Sequence, residues 1–148
     1  MTNDANEQPG IRVEYAFLCD AATQHGGKVN ALGIGIDQLG VTALPALHPR
    51  LTLVARLVFE ATAFEDQGRA SFAFRVCVVD ADGHDVLPPV DGSLHIEAAG
   101  GQRLTGTTLL VDLVNLQFTT IGPHEVQLSS DAHPLATLPI DVVRVATS

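Results

Sequence analysis

The chain has 148 residues, 46% of them hydrophobic, and a formal net charge of −9 with a single lysine and seven arginines. This length suits one domain, and folding hides roughly 70% of the surface that an unfolded chain exposes, so one core suffices without disulfide or metal cross-links. Because phosphate backbones and anionic membranes bind dense cationic surfaces, we expect no nucleic acid and no membrane as a partner.

Residues 1–10 read MTNDANEQPG, a polar stretch that we expect to form a disordered tail before a single domain over residues 11–148. The stretch lacks the basic start and the apolar core of a secretory signal peptide. The apolar runs are interrupted within a few residues, far short of the roughly 20 residues that span a bilayer. We therefore expect a cytoplasmic protein.

Short alternations of apolar and polar residues, separated by Gly, Pro, Asp and His, run from Val13 to Val145 and indicate an all-β chain. In chain order we predict strands over 12–20, 29–37, 51–60, 69–80, 93–97, 107–118, 124–129 and 135–145. Gly26 and Gly27 suit the tight turn of a hairpin, because glycine adopts positive φ without strain. The pattern predicts an antiparallel two-sheet β-sandwich of about eight strands, immunoglobulin-like or jelly-roll.

The connections between strands predict part of the topology. We expect the strand at 51–60 to pair with the strand at 69–80 across the polar turn EDQG. Consecutive antiparallel strands need only short turns, whereas a crossing between sheets needs a longer connection. The longer connections, at 40–50 and 100–106, are therefore the expected crossovers.

The two cysteines, Cys19 and Cys77, are 58 residues apart, which fits the inter-sheet disulfide of an immunoglobulin domain. Alternation, however, places Cys77 opposite the bulky side chains of its strand, and it places Cys19 on the face shared by Val13 and Phe17. The chain has no tryptophan, and no tyrosine stands two residues before Cys77. We therefore predict two free thiols in a reducing compartment.

The segments EYAFLCDAAT, GKVNALGIGIDQL and LTLVARLVFE, followed by a strand that ends in VVDADG, resemble a family of small bacterial proteins of unknown function. The likeness covers residues 13–85. The later segment LQFTTIGPHEVQLSSD, followed by LATLPIDVV, is similar to the closing hairpin of immunoglobulin-like and related sandwiches. These resemblances imply the fold and supply no catalytic residue.

The sharpest candidate site is the run DADGHD at 80–85. Asp80, Asp82 and Asp85 place three carboxylates on one turn, and Ca²⁺ prefers several oxygen ligands. The run departs from the EF-hand loop because Gly83 comes early and position 89 is proline. The alternative interpretation is a hairpin turn in which Gly83 supplies positive φ and Asp80 binds the local backbone.

A second candidate set consists of the six histidines: His25, His48, His84, His95, His124 and His133. Five of the six lie in predicted loops or at the ends of predicted strands. No two of them have the H-x-H or H-x-x-x-H spacing that brings imidazoles to one metal. A site assembled in space, for example from Asp82, His84 and His124, stays open. The chain lacks G-x-S-x-G, and GIGID at 33–37 lacks the third glycine and the helix of a dinucleotide loop. We expect no catalytic site and no cofactor.

Surface features give the remaining indications of function. From 107 to 118 few positions on either face are polar, so this strand is buried on both faces, bulged, or part of an interface. The glycine-spaced face from Val29 to Gly35 is a second place for uncovered apolar area. We expect a non-enzymatic binding or assembly module that acts through a sheet edge or an apolar sheet face, with a protein partner or a second copy in a homodimer. The alternatives are a sandwich that binds Ca²⁺ or a small polar ligand through the loop at 80–85, and an unrecognised hydrolase.

Overall fold

In the computed structural model, described over residues 10–60, 69–97 and 104–146, the chain forms ten β-strands in three sheets. The strands are β1 Ile11–Cys19, β2 Ala21–His25, β3 Lys28–Leu32, β4 Gln38–Val41, β5 Ala46–Glu60, β6 Arg69–Asp80, β7 Val90–Glu97, β8 Leu104–Phe118, β9 Gly122–Ser130 and β10 His133–Arg144. The all-β class is confirmed, and within these ranges no helix is long and apolar enough to cross a membrane. Except for Gly10, the predicted tail lies outside the described residues.

The three-stranded sheet has the order β1-β5-β8, and the five-stranded sheet has the order β4-β10-β9-β6-β7. β2 and β3 form a separate hairpin. β4 runs parallel to β10, whereas the other pairs are antiparallel. The prediction of about eight strands, all antiparallel, is therefore wrong. The two strands that were not predicted, β2 and β4, have too few residues for alternation to separate them from turns.

One hydrophobic core takes side chains from both larger sheets. The three-stranded sheet contributes Leu53 and Leu113, and the five-stranded sheet contributes Val78, Val126 and Val142, each at most 1% exposed. Full burial of a leucine or valine side chain stabilises a fold by roughly 1.5–3 kcal/mol. This shared core therefore holds the two sheets against each other.

The β2–β3 hairpin packs against the outer face of the three-stranded sheet. Its turn consists of Gly26 and Gly27, with φ of 58° and 75°, which confirms the predicted hairpin. Beneath it, Cys19, Ala22 and Val54 form a second, smaller core, in which Cys19 and Val54 are fully buried. The three-stranded sheet therefore buries apolar side chains on both of its faces.

A β-bulge changes the facing of β1. The pairing with β5 shifts between Val13 and Tyr15, which leaves Glu14 as an extra residue. Val13 packs in the main core, whereas Phe17 packs in the small core beside Cys19. The prediction that Val13 shares a face with Phe17 and Cys19 is wrong, because the bulge inserts one residue into the alternation.

Two predicted strands differ most from the observed ones, by five residues at one end. The strand at 29–37 ends at Leu32, because Gly33 and Gly35 adopt φ of 69° and 91°, outside the extended region. The strand at 51–60 begins earlier, at Ala46.

The predicted pairing of 51–60 with 69–80 is also wrong. β5 pairs with β1 and β8, so both of its edges are occupied within the three-stranded sheet. β6 pairs instead with β7 and β9 in the other sheet. The turn EDQG lies outside the described residues.

The connections between the sheets agree with the predicted crossovers. The chain leaves the five-stranded sheet at the end of β4 and enters the three-stranded sheet at β5, within the predicted crossover at 40–50. β7 and β8 also lie in different sheets, although residues 98–103 of the second predicted crossover lie outside the described residues. The structure adds two crossings that were not predicted, one between β5 and β6 and a short one between β8 and β9.

Candidate functional site

The outer edge of β8 is the longest unpaired strand edge among the described residues. β8 covers 15 residues and is paired along one edge, with β5. From the residues that the structure describes, no backbone hydrogen bond reaches its other edge. Unpaired N–H and C=O groups on an edge strand can bind a further strand. We define this unpaired side as the β8 edge.

The set of β8 residues that faces the core changes at Asn115, which partly explains why apolar residues occur at both alternating positions of this strand. Leu113 faces the core before this position, and Leu116 and Phe118 face it afterwards. Asn115 has φ of 56°, a left-handed conformation that asparagine tolerates better than most residues. The pairing register with β5 is the same on both sides, so this is a local irregularity and not a bulge with an inserted residue.

The uncovered part of β8 is its second half. Leu110, in the first half, packs with the small core beneath the β2–β3 hairpin. Val114 is 54% exposed, and Leu47 on the adjacent β5 is 63% exposed. Ile121, just after β8, is 43% exposed. The hairpin therefore covers side chains on the outer face of β8 only in the first half of the strand. On the second half, the side chains that point away from the core are exposed to solvent.

Asp112 is the single charged residue in the sequence of β8. Its carboxylate accepts hydrogen bonds from Arg50 Nη2 at 3.0 Å and from Thr52 Oγ1 at 2.7 Å. Both partners lie on β5, so the charge is drawn toward the paired side of the strand. β8 contains no lysine and no proline, two residue types that commonly protect an edge against pairing with another chain.

The other edge strands of the two larger sheets are protected. β1 carries the bulge at Glu14, and the Leu18 carbonyl accepts hydrogen bonds from the backbone N–H groups of Gly35 and Ile36. β4 has only four residues. β7 has eight residues, and its carboxylates Asp91 and Glu97 pair with Arg75 and Arg69 of β6. Short length and bulges each disfavour pairing with a further strand, so the β8 edge differs from all three.

The turn after β6 is organised by the carboxylate of Asp80. Its Oδ1 accepts hydrogen bonds from the backbone N–H groups of Asp82 and His84, both at 2.9 Å. The bond from His84 is the main cause that lowers the pKa of Asp80, and the bond from Asp82 adds to it. Gly83 has φ of 83°. These contacts are the ones that the hairpin-turn interpretation predicts.

Three side chains of this turn approach one another. Ligand atoms of Asp80, Asp82 and His84 lie within 4.8 Å of each other. Neither Asp85, which forms an isolated bridge with Val79, nor the buried His124 belongs to this group. Calcium needs roughly six to eight oxygen ligands, and one oxygen of Asp80 already accepts two backbone bonds. The calcium site at Asp80, Asp82 and Asp85 stays a prediction.

Two histidines expected in a loop or at a strand end lie within strands, His48 in β5 and His124 in β9. His124 is 2% exposed, and its ring contacts Phe118 edge-on with centroids 5.2 Å apart. Nδ1 of His124 lies 2.9 Å from the carbonyl oxygen of Gly122. The Nε2 atoms of both histidines are buried and have no hydrogen-bond partner. Sequence spacing gave no signal of this arrangement, because the strands around these rings are distant in the chain.

Cys19 and Cys77 are free thiols, as predicted. Burial is the largest cause that raises the pKa of each thiol above its ordinary value. A raised pKa lowers the fraction of thiolate, and the thiolate is the nucleophilic form. Neither cysteine therefore has the surroundings of a catalytic nucleophile.

Comparison with known proteins connects the chain to a family but to no activity. A family model described as a family of unknown function (DUF6941) matches residues 14–143, which extends the likeness well beyond 13–85. No curated protein matches the chain.

A solved structure of Pseudomonas fluorescens alkylpurine DNA glycosylase AlkC, bound to DNA containing an abasic site analog, resembles this chain with a TM-score of 0.53 and 9% sequence identity. The match covers 90% of this chain and 30% of that chain, so this chain spans under a third of the length of the glycosylase. At this identity the likeness concerns the fold alone.

Proposed function

Because this chain belongs to the DUF6941 family of unknown function, we propose its role from its own geometry: a non-enzymatic assembly module that pairs through the β8 edge with a second copy. The observation that carries the proposal is the contrast among the four strand edges. The β8 edge is 15 residues long and has no bulge, whereas β1 is bulged and its Leu18 carbonyl is bonded, β4 has four residues and β7 has eight. The raised pKa of both thiols argues against catalysis by a cysteine nucleophile.

A second copy is the partner that the β8 edge accommodates most simply. A two-fold axis brings the same strand of two identical molecules together in antiparallel direction, so one edge serves both partners. Such pairing would extend the three-stranded sheet to six strands. The exposed side chain of Val114 would then contact the partner strand instead of water.

The finer fold and the location belong to the same proposal. We infer that the two larger sheets stack as a β-sandwich, immunoglobulin-like or jelly-roll, and their shared core supports this arrangement. We also infer a cytoplasmic location, which the two free thiols support, since disulfides are rare in reducing compartments.

Sedimentation velocity over a wide range of protein concentration tests the proposed dimer. We expect the full chain to sediment as a dimer. Val114→Lys should shift it toward monomer, because a lysine on an edge strand opposes pairing with another strand. Circular dichroism checks that the variant keeps its strand content.

Val145→Lys is the matched control for this experiment. Val145 is 44% exposed and directly follows β10 of the five-stranded sheet, where its backbone N–H binds the Val41 carbonyl. This variant should sediment as the wild type does. A wild-type chain that stays monomeric at every concentration, or a Val114→Lys variant that dimerises as well as Val145→Lys, would contradict the proposal.

A further inference from the structure

The side chain of Arg56 extends from the central strand β5 across the edge strand β8. Its Nε donates a hydrogen bond to Glu14 Oε2 at 3.2 Å, and its Nη1 donates one to Thr108 Oγ1 at 3.4 Å. A Cβ atom added at Gly106 of β8 would lie 2.8 Å from Cζ of Arg56 and closer still to Nη2, so the glycine leaves the space that the guanidinium occupies. Within the described part of the chain, Nη2 has no hydrogen-bond acceptor. Arg56 therefore presents an unused donor over the edge strand.

Asp112 supplies a negative charge on the same outer face of β8. Gly106 and Asp112 lie opposite Val58 and Thr52, which alternate with Arg56 along β5. The side chain of Asp112 is 47% exposed, and its carboxylate has about four lone pairs, so it can accept more than the bonds from β5. Within one chain, Gly106 and Asp112 are six residues apart, roughly 20 Å along the strand, so Arg56 does not reach its own Asp112. The unused donor and the exposed acceptor can meet only between two chains.

The backbone of β8 limits the register in which two copies can pair. Asn115, with φ of 56°, interrupts the extended conformation, so the regular part of the strand covers 104–114. A two-fold axis perpendicular to the sheet places one residue opposite its own copy, and pairing is longest when that residue is the middle one, Leu109. In this register, Gly106 lies opposite the partner's Asp112. An axis at Asp112 would instead place two like charges opposite each other, which is unfavourable.

We propose that two copies of the chain pair along β8 about an axis at Leu109, so that Arg56 of each copy binds Asp112 of the other. This inference rests on the proposed dimer and specifies its register. Neighbouring strands lie about 4.7–4.9 Å apart, so the guanidinium over Gly106 is one strand spacing from the partner's carboxylate. The two-fold axis gives two such ion pairs in each dimer, and a shift of register removes both.

Two charge-reversal variants, Arg56→Glu and Asp112→Arg, test the contact between copies. In the dimer of either variant alone, like charges face each other at both contacts, so the dissociation constant should rise about tenfold or more. An equimolar mixture allows a heterodimer in which both contacts again join opposite charges. The mixture should therefore associate about tenfold more tightly than either variant alone. Sedimentation velocity measures the association, and circular dichroism checks that each variant keeps its strand content.

The ion pair between Arg75 and Asp91 supplies the matched control. It joins β6 to β7 on the five-stranded sheet, with Nε of Arg75 2.7 Å from Oδ1 of Asp91. Arg75→Glu and Asp91→Arg reverse the same charges within one chain and away from β8. Each of these variants should dimerise as the wild type does, and mixing the two should not change their association.

Chemical cross-linking tests the same contact without reversing a charge. Arg56→Lys keeps the positive charge and adds an amine to a chain whose single lysine is Lys28. A carbodiimide joins an amine to a carboxylate that it contacts. In an equimolar mixture of ¹⁴N-labelled and ¹⁵N-labelled chains of this variant, mass spectrometry should find the new amine of one isotope joined to Asp112 of the other.

The outcomes separate the register from the dimer itself. A wild-type chain that stays monomeric would overturn both this inference and the proposed function. In a wild type that dimerises and that Val114→Lys dissociates, a mixture no tighter than the single variants would overturn the register and leave the proposed dimer in place. If a reversed variant does not fold, the cross-link between isotopes decides, and its absence in a dimer overturns the register.

Discussion

The three-stranded and five-stranded sheets share one core but differ on the faces that point away from it. On the three-stranded sheet, Val54 is fully buried beneath the β2–β3 hairpin. The corresponding face of the five-stranded sheet carries exposed polar pairs, such as Ser71 with His95 and Arg75 with Asp91. A polar face is stable in water by itself, whereas an apolar face must be covered. The hairpin covers only part of the apolar face, so we expect interactions at the three-stranded sheet.

Matched substitutions on the two outer faces test this contrast most strongly. Val54→Asn buries an amide under the hairpin and should lower the free energy of unfolding by about 2–4 kcal/mol. Cys77→Asn, on the outer face of β6, should lower it by less than about 1 kcal/mol, because water can reach that face. Urea denaturation measures both values. Equal losses would show that the two outer faces are buried to the same degree.

Substitutions at residues with a left-handed backbone conformation should change the free energy of unfolding by a smaller amount. Ala132, in the turn between β9 and β10, has φ of 67°, which costs an alanine about 1–2 kcal/mol. Ala132→Gly should therefore raise the free energy of unfolding by about 0.5–1 kcal/mol, after the greater freedom of glycine in the unfolded chain is subtracted. Asn115→Gly in β8 should give little or no gain, because asparagine already tolerates this conformation. Thermal unfolding compares the two, and a larger gain at Asn115 would place the greater strain in β8.

The smallest expected effect depends on pH and concerns the turn after β6. Hydrogen bonds from the backbone N–H groups of His84, first, and Asp82 lower the pKa of Asp80 below its ordinary value of 3.8. A group with a lowered pKa stabilises the fold above its unfolded pKa and loses that contribution as the pH falls through its folded pKa. Asp80→Asn should therefore lower the melting temperature at neutral pH, and its difference from the wild type should shrink below about pH 4.

Ala81→Asn is the control for the turn, because it places the same new side chain beside an intact Asp80 carboxylate. Its difference from the wild type should not change with pH in this range. If the two variants showed the same pH profile, the stabilising contribution would not come from the Asp80 carboxylate.

Alternation in the sequence predicted facing correctly wherever the backbone is regular. Val76 and Val78 of β6 face the core and are fully buried, as their spacing predicts. The errors in facing arise at single residues: Glu14 changes the phase of β1, and Gly33 follows the end of β3. Such changes depend on φ and on the opposite strand, and the pattern of apolar residues along one strand contains neither.

At the candidate sites, contacts between residues close in the chain could be predicted, whereas contacts between distant residues could not. The turn at Asp80 was predictable, because its hydrogen bonds join residues at most four positions apart. The strand around Val114 was predicted as a possible interface from its apolar residues, but its place at a sheet edge follows from the pairing of β5 with both β1 and β8. The surroundings of the unpartnered Nε2 atoms of His48 and His124 depend on strands far apart in the chain, and the spacing of histidines does not reveal such contacts.

The position of Cys19 gives the molecule an internal reporter of its own motion. Its thiol is fully buried beneath the β2–β3 hairpin, whereas Cys77 is only partly buried. A thiol-specific reagent can modify Cys19 only after the hairpin lifts or the chain unfolds, so the labelling rate measures the free energy of that opening. Cys77 supplies the reference rate within the same chain. The rate of alkylation of the native protein would therefore report how readily the apolar face under the hairpin becomes accessible, and no engineered probe is needed.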